Sequence, residues 1–370
     1  MADKPPISLT QCTTPQETTD KRSLEITENT WLNMASAASG LYIHIPFCFH
    51  KCHYCDFFSI ANAYDEHIPF TDALVSELQT VAPHLGEIKT IFIGGGTPTL
   101  LEDSLLEKVL HTIQQSVSMS PDVEWTVEAN PETVTESTAE ILASSGVNRV
   151  SIGAQSFHPI LLKELERWHN PENVMRSVSR LRQAGIKNIN LDLIYAIPSQ
   201  SIEMLRSDLD QLLQIEPEHL SCYALTYEPN TPLEVKLRKG AVKRVAHELE
   251  AEMFTIVSEH LKAGGYAQYE ISNFAKEGFE CKHNVMYWEN KSWWACGPSA
   301  SGHLSGLRWR NVPRLRDYYK QYPLPPVVDV EQLSLDRQMG EVCMLGLRLN
   351  RGMQRDTVEH VVQQSKGQWR

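Results

Sequence analysis

The sequence has no stretch of 18 consecutive apolar residues, the length that a helix needs to cross a bilayer, which excludes membrane-spanning helices. Residues 1–30 also lack the apolar segment of a secretory signal, and they carry more acidic residues than a typical transit peptide. The acidic residues are Asp3, Glu17, Asp20, Glu25 and Glu28. We therefore predict a cytoplasmic protein in which residues 1–35 form a flexible polar tail rich in Ser and Thr.

Positive charge is scarce as well. The chain has 34 Lys and Arg residues against 46 Asp and Glu residues, a formal net charge of −12. Because nucleic acids attract basic surfaces, we predict no nucleic-acid partner. A disulfide pattern is also missing, which suits a reducing compartment. Five of the eight cysteines are scattered along the chain: Cys12, Cys222, Cys281, Cys296 and Cys343.

The other three cysteines lie four and three residues apart in one short segment: Cys48, Cys52 and Cys55. A loop of this length can turn three sulfurs toward one point, and three thiolates leave a soft metal centre one ligand short. The spacing alone leaves three alternatives open. The site could be an iron–sulfur cluster with one open iron, or unrelated buried or disulfide-bonded cysteines. It could also be a zinc ion whose fourth ligand is one of three nearby histidines, His44, His50 or His53.

The residues beside the cysteines favour the cluster. Leu41–Ile45 is an aromatic and β-branched run that predicts a strand ending at Pro46, so the cysteines follow directly after a strand. The CxxxCxxC pattern, with Tyr54 before its last cysteine, resembles the signature of the radical S-adenosylmethionine (SAM) superfamily. The segments YIHIPFC and CDF resemble, more narrowly, the HemW and HemN group of haem chaperones and oxygen-independent coproporphyrinogen oxidases. The resemblance implies a [4Fe–4S] cluster held by the three cysteines, with SAM on the open iron.

Six β-rich runs alternate with five amphipathic helical segments. The runs are 41–46, 88–93, 123–128, 147–152, 188–194 and 219–225, and the helices are 67–83, 102–117, 134–145, 171–184 and 202–214. Repeated βα units predict a parallel sheet or barrel with function in the loops after the strands. We predict an α/β fold in which residues 36–275 form a partial (β/α)6 TIM-like barrel of the radical-SAM type. Residues 276–370 are predicted to be a smaller, α-rich C-terminal domain of the HemW type.

Unusual residues follow the predicted strands. Gly94–Thr99 comes after the second strand, Glu128 ends the third and Gln155 follows the fourth, while Asp192 is an acid inside the apolar fifth strand. A turn without side chains lets the backbone approach a ligand and donate its amides, although a plain tight turn has the same sequence. Together these residues predict a polar ring at one rim of the barrel.

The resemblance implies that this ring binds SAM, with the glycines near the methionine amino group. The implied cofactor-binding residues are Tyr42, Tyr54, Gly95, Gly96, Thr97, Glu128, Gln155, Arg167 and Asp192. Arg167 belongs to this set only through the resemblance, because its sequence context favours a solvated helical face.

A second group of candidate residues lies between 281 and 303, where a histidine stands among large aromatic side chains. His283 could supply an axial nitrogen to haem, although it could equally be a structural histidine or a zinc ligand with Cys281. The tryptophans Trp288, Trp293 and Trp294 could simply cover the barrel. The pattern His283-Asn284-Val285-Met286-Tyr287-Trp288 is similar to the HNxxYW motif of the HemW group, which implies haem binding through His283.

Two features favour the HemW group over the coproporphyrinogen oxidases. Phe57 stands where the oxidases carry a further cysteine, and residues 1–40 do not resemble their longer N-terminal substrate-handling segment. We predict a haem chaperone, with haem and a haem-accepting apoprotein as partners; the alternative is radical oxidative decarboxylation of coproporphyrinogen III. Peripheral membrane association, a homodimer and cleavage of SAM are left open. So is the C-terminal region, which reaches Arg370 without a clear final strand pair and is either incomplete or divergent.

Overall fold

The computed structural model describes residues 32–320 and 324–365, so most of the predicted polar tail, including Cys12, lies outside the described residues. The strands, in chain order, are β1 (Gly40–Ile45), β2 (Phe47–Cys48), β3 (Ile60–Ala61), β4 (Ile88–Gly95), β5 (Met119–Ala129), β6 (Arg149–Gln155), β7 (Asn188–Tyr195), β8 (His219–Ala224), β9 (Ala267–Gln268), β10 (Asn273–Ala275), β11 (Trp293–Cys296), β12 (Ser301–Leu304), β13 (Leu307–Asn311) and β14 (Val327–Gln332).

The α-helices are α1 (His67–Val81), α2 (Asp103–Ser116), α3 (Glu136–Ser144), α4 (Pro159–Glu164), α5 (Glu172–Gln183), α6 (Ile202–Ile215), α7 (Pro232–Arg238), α8 (His247–Ala263), α9 (Lys282–Trp288), α10 (Leu315–Tyr318), α11 (Leu335–Gly346) and α12 (Arg355–Ser365). Short 3-10 turns lie between some of these elements. Helix α8 begins at His247, and α7 precedes it as a separate element.

Twelve strands form one sheet in the order β14-β13-β12-β11-β1-β4-β5-β6-β7-β8-β10-β9. Its centre, from β1 through β4, β5, β6 and β7 to β8, is parallel throughout. These are the six predicted strands, and each is followed by one or more helices, as crossovers between parallel strands require. The prediction of a partial (β/α)6 barrel is confirmed.

Side chains of the six parallel strands alternate between two environments. On β4, Ile91 and Ile93 are fully buried against the helices in the hydrophobic core, whereas Phe92 lines an internal cavity. On β6 the core residues Val150 and Ile152 alternate with Arg149, Ser151 and Gly153, which line the same cavity. Because neighbouring residues of a strand point to opposite faces, one face of the sheet packs on helices and the other encloses a polar interior.

The sheet continues past the six predicted strands at both edges. β11 pairs in parallel with β1, and β12, β13 and β14 follow in antiparallel order, while β10 pairs antiparallel with β8. Strands from before and after residue 275 therefore belong to the same sheet. The predicted domain boundary at this residue stays a prediction. Within the described part of the chain, every helix is too short or too polar to pass through a lipid bilayer.

A buried carboxyl group joins α1 to the added strands. Glu77 accepts hydrogen bonds from the Gly297 amide at 2.9 Å, from Asn311 Nδ2 at 3.1 Å and from the Tyr318 hydroxyl at 2.6 Å. Burial raises the pKa of Glu77 to about 7, although these hydrogen bonds oppose the shift. Glu77 thus fixes the C-terminal strands against the first helix of the barrel.

Candidate functional site

The interior of the barrel is one cavity of about 1360 Å³. It reaches from the loop that carries the three cysteines, past the carboxyl ends of the parallel strands, to α9. All of the residues predicted to form the site line it: Tyr42, Cys48, Cys52, Tyr54, Cys55, Gly95, Gly96, Thr97, Glu128, Gln155, Arg167, Asp192 and His283. Their individual roles remain predictions, but the structure brings them to one cavity, which opens at the end of the barrel where enzymes of this architecture hold their ligands.

The glycine-rich turn after β4 packs directly on the cysteine loop. The Gly96 amide donates to the Ile45 carbonyl at 2.8 Å, and the Thr97 amide donates to the Phe47 carbonyl at 2.7 Å. A Cβ atom on Gly96 would lie 2.5 Å from the Phe47 carbonyl oxygen. Gly95 has a φ of +108°, and a Cβ atom there would collide with the His44 ring. Glycine is thus required here by the close approach of two backbone segments.

These contacts revise one expectation about the turn. The Gly95 amide also has a partner within the protein, the Glu128 Oε2 atom at 3.0 Å, so the amides of residues 95–97 are all engaged internally. The expectation that they donate to a ligand is therefore not met in this structure. The amino group of a ligand such as SAM is a hydrogen-bond donor, so the turn can bind it through its backbone carbonyl oxygens.

The three site cysteines are free thiols, and polar side chains lie beside Cys48 and Cys52. Thr97 Oγ1 lies 3.9 Å from the Cys48 sulfur, and Arg167 Nη1 lies 3.8 Å from the Cys52 sulfur. Burial raises the pKa of Cys48 and that of Cys55, the latter to about 11. A metal must therefore displace thiol protons when it binds, and a cationic guanidinium beside Cys52 would stabilise the resulting thiolate.

The donor set fits an iron–sulfur cluster better than a single zinc ion. Among the described residues, no three His, Cys, Asp or Glu side chains converge on a point as the ligands of one metal ion would. A cluster does not need such convergence, because each thiolate binds a different iron. Three thiols on one loop, facing a common cavity and without a fourth side-chain ligand, match a cluster with one open iron.

Two carboxyl groups stand across the rim from the cysteines. Burial raises the pKa of Glu128 to about 7, with a further upward contribution from the nearby Asp192. Asp192 Oδ1 accepts from Asn190 Nδ2 at 2.7 Å and Oδ2 from Ser151 Oγ at 3.5 Å, and burial raises its pKa. These acceptors lie where hydroxyl or amino groups of a ligand could donate to them.

Tyr42 and Gln155 complete the rim. His44 Nε2 lies 2.8 Å from the Phe58 carbonyl, so this nitrogen carries the proton, and Nδ1 accepts from the Tyr42 hydroxyl at 2.9 Å. Burial lowers the pKa of His44 to about 4, which keeps the ring neutral. Gln155 adopts a φ of +63° at the end of β6, where the register with β7 shifts, and this turns its side chain into the cavity.

Arg167 lies in the wall of the cavity, not on a solvated helical face as its sequence context suggests. Its Nη2 donates to the Gly153 carbonyl at 2.9 Å, and a Cβ atom on Gly153 would lie 2.6 Å from this nitrogen. The absence of a side chain at Gly153 therefore makes room for the guanidinium. Tyr54 lies close enough to Arg167 to influence its charge, and it joins a small apolar cluster behind the loop.

His283 lies at the opposite end of the cavity and is fully buried. Its Nδ1 is 2.9 Å from Thr90 Oγ1, whose hydroxyl faces the Met286 sulfur at 3.6 Å, and its Nε2 is 2.8 Å from the Tyr287 hydroxyl. If Thr90 donates to Met286, Nδ1 is protonated and Nε2 accepts from Tyr287. Burial lowers the pKa of His283 to about 3, so the ring is neutral.

The same contacts account for the spacing of the HNxxYW motif. His283 and Tyr287 are four residues apart on α9 and therefore share one helical face. Asn284 also lines the cavity, whereas Trp288 lies outside the cavity lining, beneath the Arg348 guanidinium at 4.3 Å from its ring centre. The motif thus divides between a cavity face and a packing face.

Comparison with known proteins agrees with this geometry. The family model of the radical SAM superfamily matches residues 42–212. A curated protein of Lactococcus lactis named "Heme chaperone HemW" is 37% identical over 86% of this chain and 84% of its own length. Its namesake in Bacillus subtilis is 39% identical over 84% of each chain. The chain belongs to the HemW family. The Escherichia coli protein of the same name is 40% identical over 72% of this HemW-family chain and 70% of its own length.

A solved structure shares the fold. The structure of coproporphyrinogen III oxidase (HemN) from Escherichia coli, described as a radical SAM enzyme, superimposes with a TM-score of 0.79 over 92% of this chain and 82% of the oxidase. At 21% identity this likeness establishes the fold alone. As a member of the radical SAM superfamily, the chain uses a [4Fe–4S] cluster and SAM as cofactors, and the cysteine loop and rim provide donors that fit both.

Several residues of the cavity were not identified from sequence. At the mouth these are Phe49 and Trp168, and in the interior Arg149, Ser151, Asn190, Ser221 and Tyr223. The interior ones had a usable signal, since polar residues alternate with core residues along β6, β7 and β8. The mouth residues had none, because exposed aromatic side chains in loops are common.

Proposed function

We propose that this HemW-family protein is a haem chaperone, which binds haem in the barrel cavity beside its cluster and SAM and transfers it to an acceptor protein. The observation that carries the proposal is the single cavity, which joins the cysteine loop to the histidine of the HNxxYW motif. Its volume of about 1360 Å³ exceeds the roughly 300–1000 Å³ of a pocket for one small ligand. There is thus space for a second ligand besides SAM.

The mouth of the cavity offers a surface suited to a flat apolar ligand. Phe49, Phe57 and Trp168 line it and are 56%, 62% and 62% exposed. The His50 ring stacks on Trp168 with centroids 4.2 Å apart and planes 10° apart. Single exposed aromatic residues are common, but several side by side mark a binding surface, and a porphyrin ring can stack on them as it enters the cavity.

His283 is the proposed axial ligand. Its ring is neutral, as an iron ligand must be, but its Nε2 lone pair is held by the Tyr287 hydroxyl. Haem binding at this nitrogen therefore requires that Tyr287 turn away. We infer that the Tyr287 hydroxyl competes with iron for His283.

Haem titration of the anaerobically purified protein tests the ligand. His283→Ala should lose the Soret band of the wild-type complex. Tyr287→Phe should raise haem affinity about 2–10-fold, the value of one net hydrogen bond. Tyr223→Phe is the matched control, since Tyr223 lines the cavity without contacting His283, and should bind as wild type. A Soret band unchanged by His283→Ala would remove His283 as the ligand.

Transfer is tested by mixing haem-loaded protein with apomyoglobin as a general acceptor and following the spectrum of the product. We expect haem to leave the protein when cluster and SAM are present. An anaerobic assay with coproporphyrinogen III provides the contrast. Formation of protoporphyrinogen at catalytic turnover would identify an oxidase and overturn the proposal.

We further propose that the protein acts in the cytosol, where its unpaired thiols would stay reduced. Peripheral contact with a membrane and formation of a homodimer remain proposals as well. Flotation with vesicles and size-exclusion chromatography with light scattering would test them.

A further inference from the structure

A buried guanidinium in the barrel interior has too few partners. Arg149 is 2% exposed and lines the cavity from the first position of β6. Its Nη1 lies 3.5 Å from Thr126 Oγ1, a long hydrogen bond, and its Nε atom is buried without a partner. Among the described residues, none of the acidic side chains forms an ion pair with it within 4.0 Å. Buried charges are normally paired, so Arg149 is an exception that calls for a ligand.

The two carboxyl groups that act on the charge of Arg149, Glu124 and Asp192, have other hydrogen-bond partners. Glu124 accepts from the amides of Lys282 at 2.9 Å and His283 at 3.0 Å and from the Cys281 thiol at 3.5 Å, and thereby holds the start of α9. Asp192 is held by Asn190 and Ser151. Both influence the charge of Arg149 from a distance, but neither contacts its donors. The free donors of the guanidinium are therefore left to the cavity.

The N–H donors of Arg149 that lack a partner in the protein indicate which kind of ligand would bind. A guanidinium presents a planar fork of N–H groups that matches a carboxylate in a bidentate pair. The wall nearby is aromatic, since Phe92 stacks on His283 with centroids 5.3 Å apart. A flat ring system with a carboxylate at its edge would satisfy both features at once. We propose that Arg149 binds a propionate carboxylate of the tetrapyrrole inside the barrel, an inference that rests on the proposed haem-binding function.

The methionine carboxylate of SAM is the other carboxylate that could reach Arg149. The position of the side chain disfavours it. Gly153 lies at the rim, where it contacts Arg167, and Arg149 lies four residues before it on the same strand. At a rise of roughly 3.3 Å per residue, this separation is about 13 Å. The cysteines that would hold cluster and SAM are at that rim, so Arg149 lies a layer deeper.

The test compares haem with haem dimethyl ester, which has the same ring and iron but no free carboxylates. Wild-type protein should bind haem at least tenfold more tightly than the ester. Arg149→Gln should remove this preference, because it should lower the affinity for haem but not that for the ester. It should leave the SAM dissociation constant unchanged. Arg149→Lys keeps the buried charge but loses the planar pair of N–H donors of the guanidinium, so it should lower the affinity for haem about three- to tenfold. This variant decides the matter if Arg149→Gln does not fold.

The matched control is Arg180→Gln, on α5 outside the barrel, where Arg180 Nη1 donates to the Val134 carbonyl at 2.8 Å. It should keep the full preference for haem. Iron content and circular dichroism verify that all variants carry the cluster and the fold.

Three results would overturn the inference. One is a preference for haem that persists in Arg149→Gln and Arg149→Lys. The second is a loss of SAM binding with haem binding intact, which would assign the guanidinium to the methionine carboxylate. The third is a wild-type protein that binds haem and ester equally, which rejects a carboxylate contact while haem binding stands. Failure of the wild-type protein to bind haem at all would instead reject the proposed function.

Discussion

The two faces of the same six strands differ sharply in character. Residues that point to the helices are apolar and fully buried, such as Ile91, Val150 and Leu191. Their immediate neighbours in the chain point into the barrel and are polar or charged, such as Arg149 and Asp192. Both sets share one backbone hydrogen-bond network, so the contrast comes from the side chains alone. The outer face holds the fold together, and the inner face is kept for ligands.

The inner face tolerates its polar residues because most are linked to one another. Asn190 donates to Ser151 at 2.7 Å and to Asp192, and accepts from His219 and Ser221. Satisfied networks of this kind cost little, whereas unsatisfied groups are expensive. Arg149 is conspicuous because the network does not include it. This contrast teaches that an unpaired polar group identifies a ligand position better than polarity alone.

The largest effect is expected at the rim of the inner face. Replacing Cys52 by Ala should abolish assembly of the [4Fe–4S] cluster, because two thiolates cannot hold three irons that need protein ligands. Iron and sulfide analysis and the visible spectrum after anaerobic reconstitution provide the measurement.

The matched control is Cys222→Ala, a buried thiol on the outer face of β8. It should lose stability but retain iron. Equal iron content in the two variants would contradict the assignment of the cluster to the inner rim.

Neighbouring substitutions on β7 should separate stability from ligand binding. Leu191→Ala, on the outer face, should lower the free energy of unfolding by about 2–5 kcal/mol, because it leaves a cavity in the packed core. Asp192→Asn, on the inner face, should change it by less than about 1 kcal/mol, because the amide has nearly the same shape and its oxygen can still accept from Asn190.

Urea denaturation measures both variants, and isothermal titration with SAM should show weaker binding for Asp192→Asn only. If Asp192→Asn proved the more destabilising of the two, the division of roles between the faces would be wrong.

The carboxyl group buried between α1 and the added strands, Glu77, should make stability depend on pH. Burial raises the pKa of Glu77 from its ordinary 4.5 to about 7 in the folded state. Between these values the folded protein binds more protons than the unfolded chain, so the free energy of unfolding should fall as pH rises from about 4.5 to about 7 and level off above. Glu128, whose pKa is also raised to about 7, should contribute in the same direction.

Glu77→Gln should reduce this slope, as urea denaturation at pH 5 and pH 8 would measure. The groups that face Glu77 are the Tyr318 hydroxyl, the Cys296 thiol, the Asn311 amide and the Gly297 backbone. They do not change charge in this range, so an unchanged slope in the variant would show that Glu77 keeps its ordinary pKa.

The smallest effect is expected at the aromatic mouth. Trp168→Ala should slow haem association about 2–10-fold, because haem passes the aromatic mouth on its way to His283, and change stability by less than about 0.5 kcal/mol. Ile160→Ala is the control, since Ile160 is 60% exposed but does not line the cavity. Identical association rates for the two variants would show that the mouth does not contact haem.

The sequence by itself determined the elements and the cysteine loop. Periodicity located the six parallel strands and their helices, because side-chain burial repeats every two residues in a strand and every 3.6 in a helix. Three closely spaced cysteines and the glycine-rich turn after β4 are local features. The resemblance implied a [4Fe–4S] cluster for the first and SAM for the second without any knowledge of tertiary contacts.

Only the tertiary structure decided which groups remain free for a ligand. His283 bonds to Thr90, 193 residues away, and Cys281 to Glu124, 157 residues away, while the amides after β4 are engaged by the barrel itself. Partners so distant in the chain meet only when the sheet curls and closes on its polar face. That closure also left Arg149 Nε without a partner in the interior, which depends on every neighbour and on no single stretch of sequence.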